Sequence, residues 1–257
     1  MSKVVLIVGG GRSLGEYLSK HMAKEGYEVA VADLIYENAQ KVADEINAAG
    51  GKGMAVGVNA CVESEVQAMV QKVVDECGGI DLLIYNAGFA RSSKITEFEL
   101  KAFNSMVEVN LKGYFLCARE VAKVMVEKNS QGSIIVINSK SGKVGSKYNC
   151  GYSASKFAAA GLTQSLALDL AEHHIRVNSM MLGNLLDSDM FESLIPQYAV
   201  KLGVPESAVK QVYIDKVPLK RGCTFQDVAN VVTFYASEKA SYLTGQSVNI
   251  TGGQVMH

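Results

Sequence analysis

Val4-Val5-Leu6-Ile7-Val8-Gly9-Gly10-Gly11-Arg12-Ser13-Leu14-Gly15 sets five aliphatic residues against a glycine-rich turn that opens directly into a helical repeat over residues 14–25. An unbroken apolar run stopped by glycine predicts a strand buried on both faces, since a strand with one wet face would alternate. Glycines at a strand-to-helix turn allow a tight reversal and close approach of a ligand to the main chain, and the unpaired N–H groups at the helix start attract negative charge. The stretch therefore predicts a cradle for the pyrophosphate of a dinucleotide, built from Gly9, Arg12, Ser13, Leu14 and Gly15.

The same strand-then-helix unit recurs outward along the chain. Short β-branched runs at residues 4–8, 29–32, 54–58, 82–85, 134–137, 177–181 and 248–250 alternate with helical patterns at 14–25, 37–49, 63–76, 113–128, 152–171 and 225–235. Apolar strands separated by helices predict a doubly wound α/β fold, its seven-stranded parallel sheet covered on both faces. No Pro/Ser/Gly-rich linker divides the chain, so a single domain over residues 1–257 is expected. An insertion at about 183–217, with helical pieces at 191–202 and 205–213, follows a strand at its carboxyl end, where a small substrate lid would sit.

A formal net charge of -1 creates no global field toward nucleic acid or membrane, and no apolar stretch approaches the ~18 residues of a membrane span. Ser2-Lys3 runs straight into the first strand without a signal-peptide layout. Cys61, Cys77, Cys117, Cys150 and Cys223 are odd in number and show no C-x-x-C spacing, which suits reduced thiols. A cytoplasmic location follows, with no nucleic-acid or membrane partner. No H-E-x-x-H or clustered Cys/His spacing asks for a metal, and His173-His174 sits at a helix end as a solvated or capping pair.

Asp33, eighteen residues past Gly15, ends the second strand. A carboxylate there accepts hydrogen bonds from the adenosine ribose and repels a 2′-phosphate, which favours NAD; Arg12, a cation inside the cradle, argues the other way. Asn59, after the third strand, offers an amide to the adenine edge. Tyr152 and Lys156 stand four residues apart and therefore on one face of a helix. A neighbouring ammonium favours the phenolate, lowering a pKa ordinarily near ~10 and making Tyr152 a usable general acid/base.

With these pieces the chain resembles the short-chain dehydrogenase/reductase family over essentially its whole length. Residues 8–15 are similar to the family's T-G-x-x-x-G-x-G, Asn86-Ala87-Gly88 to its N-A-G, Asn110 to its catalytic asparagine, Ser139 to its serine, and Tyr152 with Lys156 to its Y-x-x-x-K. The resemblance implies a Rossmann-like fold, catalysis by Asn110, Ser139, Tyr152 and Lys156, and cofactor contacts from Asn86, Ala87, Gly88, Tyr152, Lys156, Gly183 and Leu185. It implies that Tyr152 takes a hydroxyl proton as hydride leaves for the nicotinamide, with Ser139 stabilising the same oxygen. Lys156 would lower the Tyr152 pKa and bind the nicotinamide ribose, and Asn110 would hold a water leading to solvent. It also implies a homotetramer formed through the helices at 113–128 and 152–171 and the C-terminal strand. Departures are Val8 for Thr, Tyr85 for the Asn before Asn86, Leu182 for the Pro before Gly183, and Ser13 for the middle glycine. The last requires the Ser13 backbone to stay within limits that glycine would not impose.

Residues 137–147, 181–186 and 215–223 resemble NAD-linked polyol-phosphate dehydrogenases within the family, which implies a small sugar phosphate as substrate. A phosphate needs cations, and the loop after the fifth strand carries Lys140, Lys143 and Lys147. These residues, Ser139 and Asn184 are the candidate substrate ligands; Arg91 and Lys94 are additional cations. Two competing readings are an NADPH-dependent ketone or 3-oxoacyl reductase, which Arg12 favours, and a dinucleotide-sensing regulator, which would have no need of Ser139, Tyr152 and Lys156 together.

Overall fold

The computed structural model describes residues 2–257. Strands β1 (Val4–Val8), β2 (Glu28–Asp33), β3 (Lys52–Gly57), β4 (Leu82–Tyr85), β5 (Ser133–Ser139), β6 (Arg176–Leu182) and β7 (Ser247–Ile250) form one parallel sheet in the order β3-β2-β1-β4-β5-β6-β7. The order reverses between β1 and β4, and a cleft opens at the carboxyl ends of strands at such a switch point.

Successive β1 side chains serve two cores. Val4, Leu6 and Val8 pack with Val66, Val121 and Ala159 of α3 (Glu63–Cys77), α5 (Gly113–Glu127) and α6 (Cys150–Asp169). Val5 and Ile7 pack with Leu18, Val42 and Val232 of α1 (Ser13–Lys24), α2 (Tyr36–Ala48) and α9 (Phe225–Ala236). Val5, Leu6 and Ile7 are wholly inaccessible to solvent, each contributing about 1.5–3 kcal/mol by burial. Two covered faces are the reason the strand is apolar at every position instead of every second one.

One helix has no counterpart in the sequence-based expectation. Helix α4 (Leu100–Val107) runs into a π-helical turn (Glu108–Lys112) and then into α5. Leu100, Phe103, Met106 and Val107 give α4 an apolar stripe, but eight residues make only about two turns of period, and Met106 alone is fully buried. The turn is held from below by Tyr85, whose hydroxyl donates to the Val109 carbonyl at 2.6 Å.

Between β6 and α9 two helices form a small unit above the sheet, α7 (Asp189–Leu202) and α8 (Glu206–Asp215), close to the expected pieces. Ser188 caps α7 by accepting from the Phe191 N–H at 3.2 Å, and Gly203, at φ 69°, ends it. Leu186, Phe191 and Val209 give the pair its own buried cluster, with Phe191, Tyr198 and Tyr213 in mutual ring contact at 5.3–5.4 Å. No helix among the described residues is long and apolar enough to cross a membrane.

Candidate active site

A cavity of about 590 Å³ lies across the carboxyl ends of β1, β4, β5 and β6 and runs beneath α7 and α8. Its floor at one end is the turn between β1 and α1. Gly9 stands at φ 75°, and a side chain there would meet the Ala87 main chain at 2.8 Å. Gly15 packs directly on the Gly9 carbonyl, which also accepts from Asn86 Nδ2 at 2.7 Å. No side chain caps α1, which leaves its first N–H groups for a ligand. Arg12, Ser13 and Leu14 line this end, as do Asn86, Ala87 and Gly88.

The Ser13 backbone takes a conformation uncommon for a residue with a side chain. It sits at φ 52°, in the left-handed region. Its Oγ accepts from the Asp189 N–H at 3.3 Å, tying the cradle to the first residue of α7, a long-range contact with no sequence signal.

Asp33 is buried at the end of β2 and lines the cavity. One oxygen accepts from Gly11 N–H at 3.0 Å and the other from Ile35 N–H at 3.1 Å. Each carboxylate oxygen retains a second lone pair for a ribose hydroxyl. Asn59 also lines the cavity, but its Oδ1 accepts from the Cys61 N–H at 3.0 Å in a turn ahead of α3.

At the other end Ser139 ends β5, while Tyr152 and Lys156 occupy the first turns of α6. Lys156 is buried, donates to the Ile137 carbonyl at 3.0 Å and lies 5.8 Å from the Tyr152 ring centre. Burial pulls its ammonium down to about 8. Burial also pushes the Tyr152 phenol above its ordinary value, and the Ser139 hydroxyl draws it partly back. In this geometry desolvation of the phenolate sets the direction of the Tyr152 shift.

Asn110 is buried in the π-helical turn and does not line the cavity. Its side chain accepts from the Phe89 N–H at 2.8 Å and donates to the Phe89 carbonyl and to Ser155 Oγ, both at 2.9 Å. Gly183, Asn184 and Leu185 line the wall after β6, with Asn184 Nδ2 donating to Gln254 at 3.2 Å.

Of the three loop lysines, the structure brings Lys140 to the cavity and leaves Lys143 and Lys147 outside it. The short helical turn Lys140–Gly142 redirects the chain after β5; Lys147 ends up exposed, its ammonium 4.8 Å from the Tyr148 ring centre. Arg91 lies against the Phe89 ring and Lys94 pairs with Glu97 at 3.5 Å, and neither lines the cavity. Tyr198 and Tyr213, carried by α7 and α8, do line it and were not anticipated; aromatic residues inside a helical period look like ordinary core.

The family model for the short chain dehydrogenase matches residues 3–199. The chain belongs to the short-chain dehydrogenase family. It is 57% identical to a sorbitol-6-phosphate 2-dehydrogenase of Escherichia coli (strain K12), covering 100% of both chains. The crystal structure of sorbitol-6-phosphate 2-dehydrogenase from Erwinia amylovora superposes with a TM-score of 0.97 at 55% identity, covering 98% of this chain and 100% of that one. A 3-oxoacyl-(acyl-carrier-protein) reductase of Staphylococcus aureus (strain Mu50) is 34% identical over 100% of this chain and 99% of its own.

Short-chain dehydrogenases bind a nicotinamide dinucleotide, and the residues here fit one. The uncapped start of α1 suits a pyrophosphate, the Gly9–Gly15 contact leaves no side chain in its way, and Asp33 stands where an adenosine ribose would lie. Tyr152 and Lys156 wait at the opposite end of the same cavity.

Proposed function

We propose that this chain is an NAD-dependent sorbitol-6-phosphate 2-dehydrogenase, interconverting D-sorbitol 6-phosphate and D-fructose 6-phosphate at C2. The observation that carries the chemistry is the single cavity joining the glycine cradle to Ser139, Tyr152 and Lys156. The substrate assignment draws its support from the full-length relative at 57% identity, and Asp33 supports NAD over NADP by its charge and its place beside the cradle.

The bound dinucleotide supplies the hydride acceptor. Gly9, Arg12, Ser13, Leu14, Gly15 and Asp33 hold its adenosine and pyrophosphate half, and Asn86, Ala87, Gly88, Gly183 and Leu185 border the remainder; Asn59 supports the adenine side. Tyr152, as phenolate, accepts the C2 hydroxyl proton, and Ser139 donates a hydrogen bond to the same oxygen as charge develops on it. Lys156, held by the Ile137 carbonyl, places a cation beside the Tyr152 ring and would bind the nicotinamide ribose. The Asn110 side chain braces the Phe89 loop and Ser155 beside the site. The α7–α8 pair, tied to the cradle through Ser13, serves as a lid that excludes bulk water.

The decisive assay follows NAD reduction with sorbitol 6-phosphate, unphosphorylated sorbitol and mannitol 1-phosphate. Turnover selective for sorbitol 6-phosphate is expected; equal rates with unphosphorylated sorbitol would remove the substrate assignment. The 3-oxoacyl reductase reading keeps one point in its favour, the exposed Arg12 at the cradle, and preference for NADPH in the same assay would revive it.

We also propose a homotetramer in the cytoplasm. Phe115 and Val126 on α5 and Phe157 and Leu168 on α6 are exposed apolar side chains, and Gly161 faces open space, a surface suited to close packing by a second copy. A monomeric mass by light scattering would sink this assembly.

A further inference from the structure

Past Tyr152 the cavity wall includes aromatic rings that carry lysine ammonium groups, and of the three lysines gathered there only Lys140 lines the cavity itself. Tyr198 and Tyr213 form part of the wall, their ring centres 5.3 Å apart. Lys201, on α7, donates to Ser146 Oγ at 2.8 Å, and its ammonium lies 5.5 Å from the Tyr198 ring centre. Lys216, just after α8, lies 5.4 Å from the Tyr213 ring centre. Lys140, on the wall itself, donates to Gln254 Oε1 at 2.6 Å. Among the described residues none of these three has a carboxylate within 4.0 Å, whereas Lys210 on the outer side of α8 has two.

Burial, reinforced by the like charges of their neighbours, pulls Lys140 and Lys201 down to about 8: Lys201 and Lys216 act on Lys140, and Lys216 and Lys147 act on Lys201. Three ammonium groups drawn from separate elements and left without a counter-ion repel one another, and a dianion arriving among them removes that repulsion. Tyr198 neighbours Tyr152 as well as carrying Lys201 on its ring. Lys201 thus stands one aromatic ring, and Lys216 two, from the proton-transfer group, on the side where the far end of a chain reacting at Tyr152 would lie.

We propose that Lys140, Lys201 and Lys216 form the subsite for the phosphate monoester of the substrate, an assignment that rests on the sugar-phosphate reading above and leaves Lys143 out, with Lys147 bordering the cluster beside Lys201. Two of the three charges ride on the α7–α8 pair, so the phosphate links the lid to the loop after β5. Phosphate recognition and lid placement become one event, and an unphosphorylated polyol forgoes both.

The test uses Lys201→Gln and Lys216→Gln, with Lys201→Arg as the charge-keeping control. Each glutamine variant is expected to raise KM for sorbitol 6-phosphate relative to that for unphosphorylated sorbitol by about 10- to 100-fold, and Lys201→Arg to restore most of the loss. Thermal shift with inorganic phosphate supplies a second reading independent of turnover: saturable stabilisation of the wild type, absent in both glutamine variants. A wild type selective for sorbitol 6-phosphate whose glutamine variants keep that KM ratio would overturn the subsite and leave the substrate reading standing. A wild type indifferent to sorbitol 6-phosphate, yet stabilised by phosphate through these lysines, would overturn the substrate reading and keep an anion site. Absence of both effects would overturn both.

Discussion

Replacing Tyr152 by phenylalanine is expected to lower kcat for sorbitol 6-phosphate oxidation by about 10²- to 10⁴-fold, the range typical for loss of a positioned general base. The ring is kept, so the contact with the Lys156 ammonium persists, and NAD affinity and thermal midpoint should stay near wild type. The direction of the Tyr152 shift adds a pH signature. Burial holds the phenol above its ordinary value, so at neutral pH the protonated form predominates and the base form grows as pH rises. Polyol oxidation should therefore accelerate with pH through the neutral range, whereas ketose reduction, which needs the protonated phenol, should not. The phenylalanine variant should lose the acceleration. Initial rates in both directions over a pH series check this, and a Tyr152→Phe enzyme within about tenfold of wild-type kcat would remove Tyr152 from the proton-transfer role.

Asp33→Asn is expected to change cofactor choice. A hydrogen bond to an ionised acceptor contributes about 1.5–3 kcal/mol, and each ~1.4 kcal/mol is tenfold, so KM for NAD should rise about 10- to 100-fold. Removing the carboxylate also removes its repulsion of a 2′-phosphate while Arg12 remains at the cradle, so kcat/KM with NADP should rise. The variant keeps one side-chain oxygen for the two N–H groups of Gly11 and Ile35, and the one left unpaired costs about 1–3 kcal/mol, visible as a lower thermal midpoint. A cofactor panel with matched melting curves separates the two effects; an unchanged NAD to NADP preference would show that Asp33 does not select the cofactor.

The seven strands and most helices were legible because each rests on a local period, two apolar faces for strands and one apolar stripe for helices. Helix α4 escaped because its apolar stripe is only eight residues long and runs straight into the π-helical turn. The cradle residues, Ser139, Tyr152 and Lys156 were legible for a related reason: their spacing along one turn or one helix already sets their geometry. Asn110 was found by resemblance, yet its side chain proves to brace the Phe89 loop instead of facing the cavity. The left-handed backbone of Ser13 is likewise not written in the residue type.

What sequence alone determined, then, is the doubly wound sheet, the dinucleotide cradle and the pairing of Tyr152 with Lys156, all properties of neighbours along the chain. Tertiary structure decided which cations are brought near one another and in which direction burial shifts the Tyr152 phenol. Lys201 and Lys216 reach the neighbourhood of Lys140 only because the α7–α8 pair folds back against the loop after β5, bringing together charges some sixty to seventy-six positions apart. The Tyr152 phenol is raised because its surroundings are dry, and burial is a property of the assembled fold that no spacing between two residues encodes.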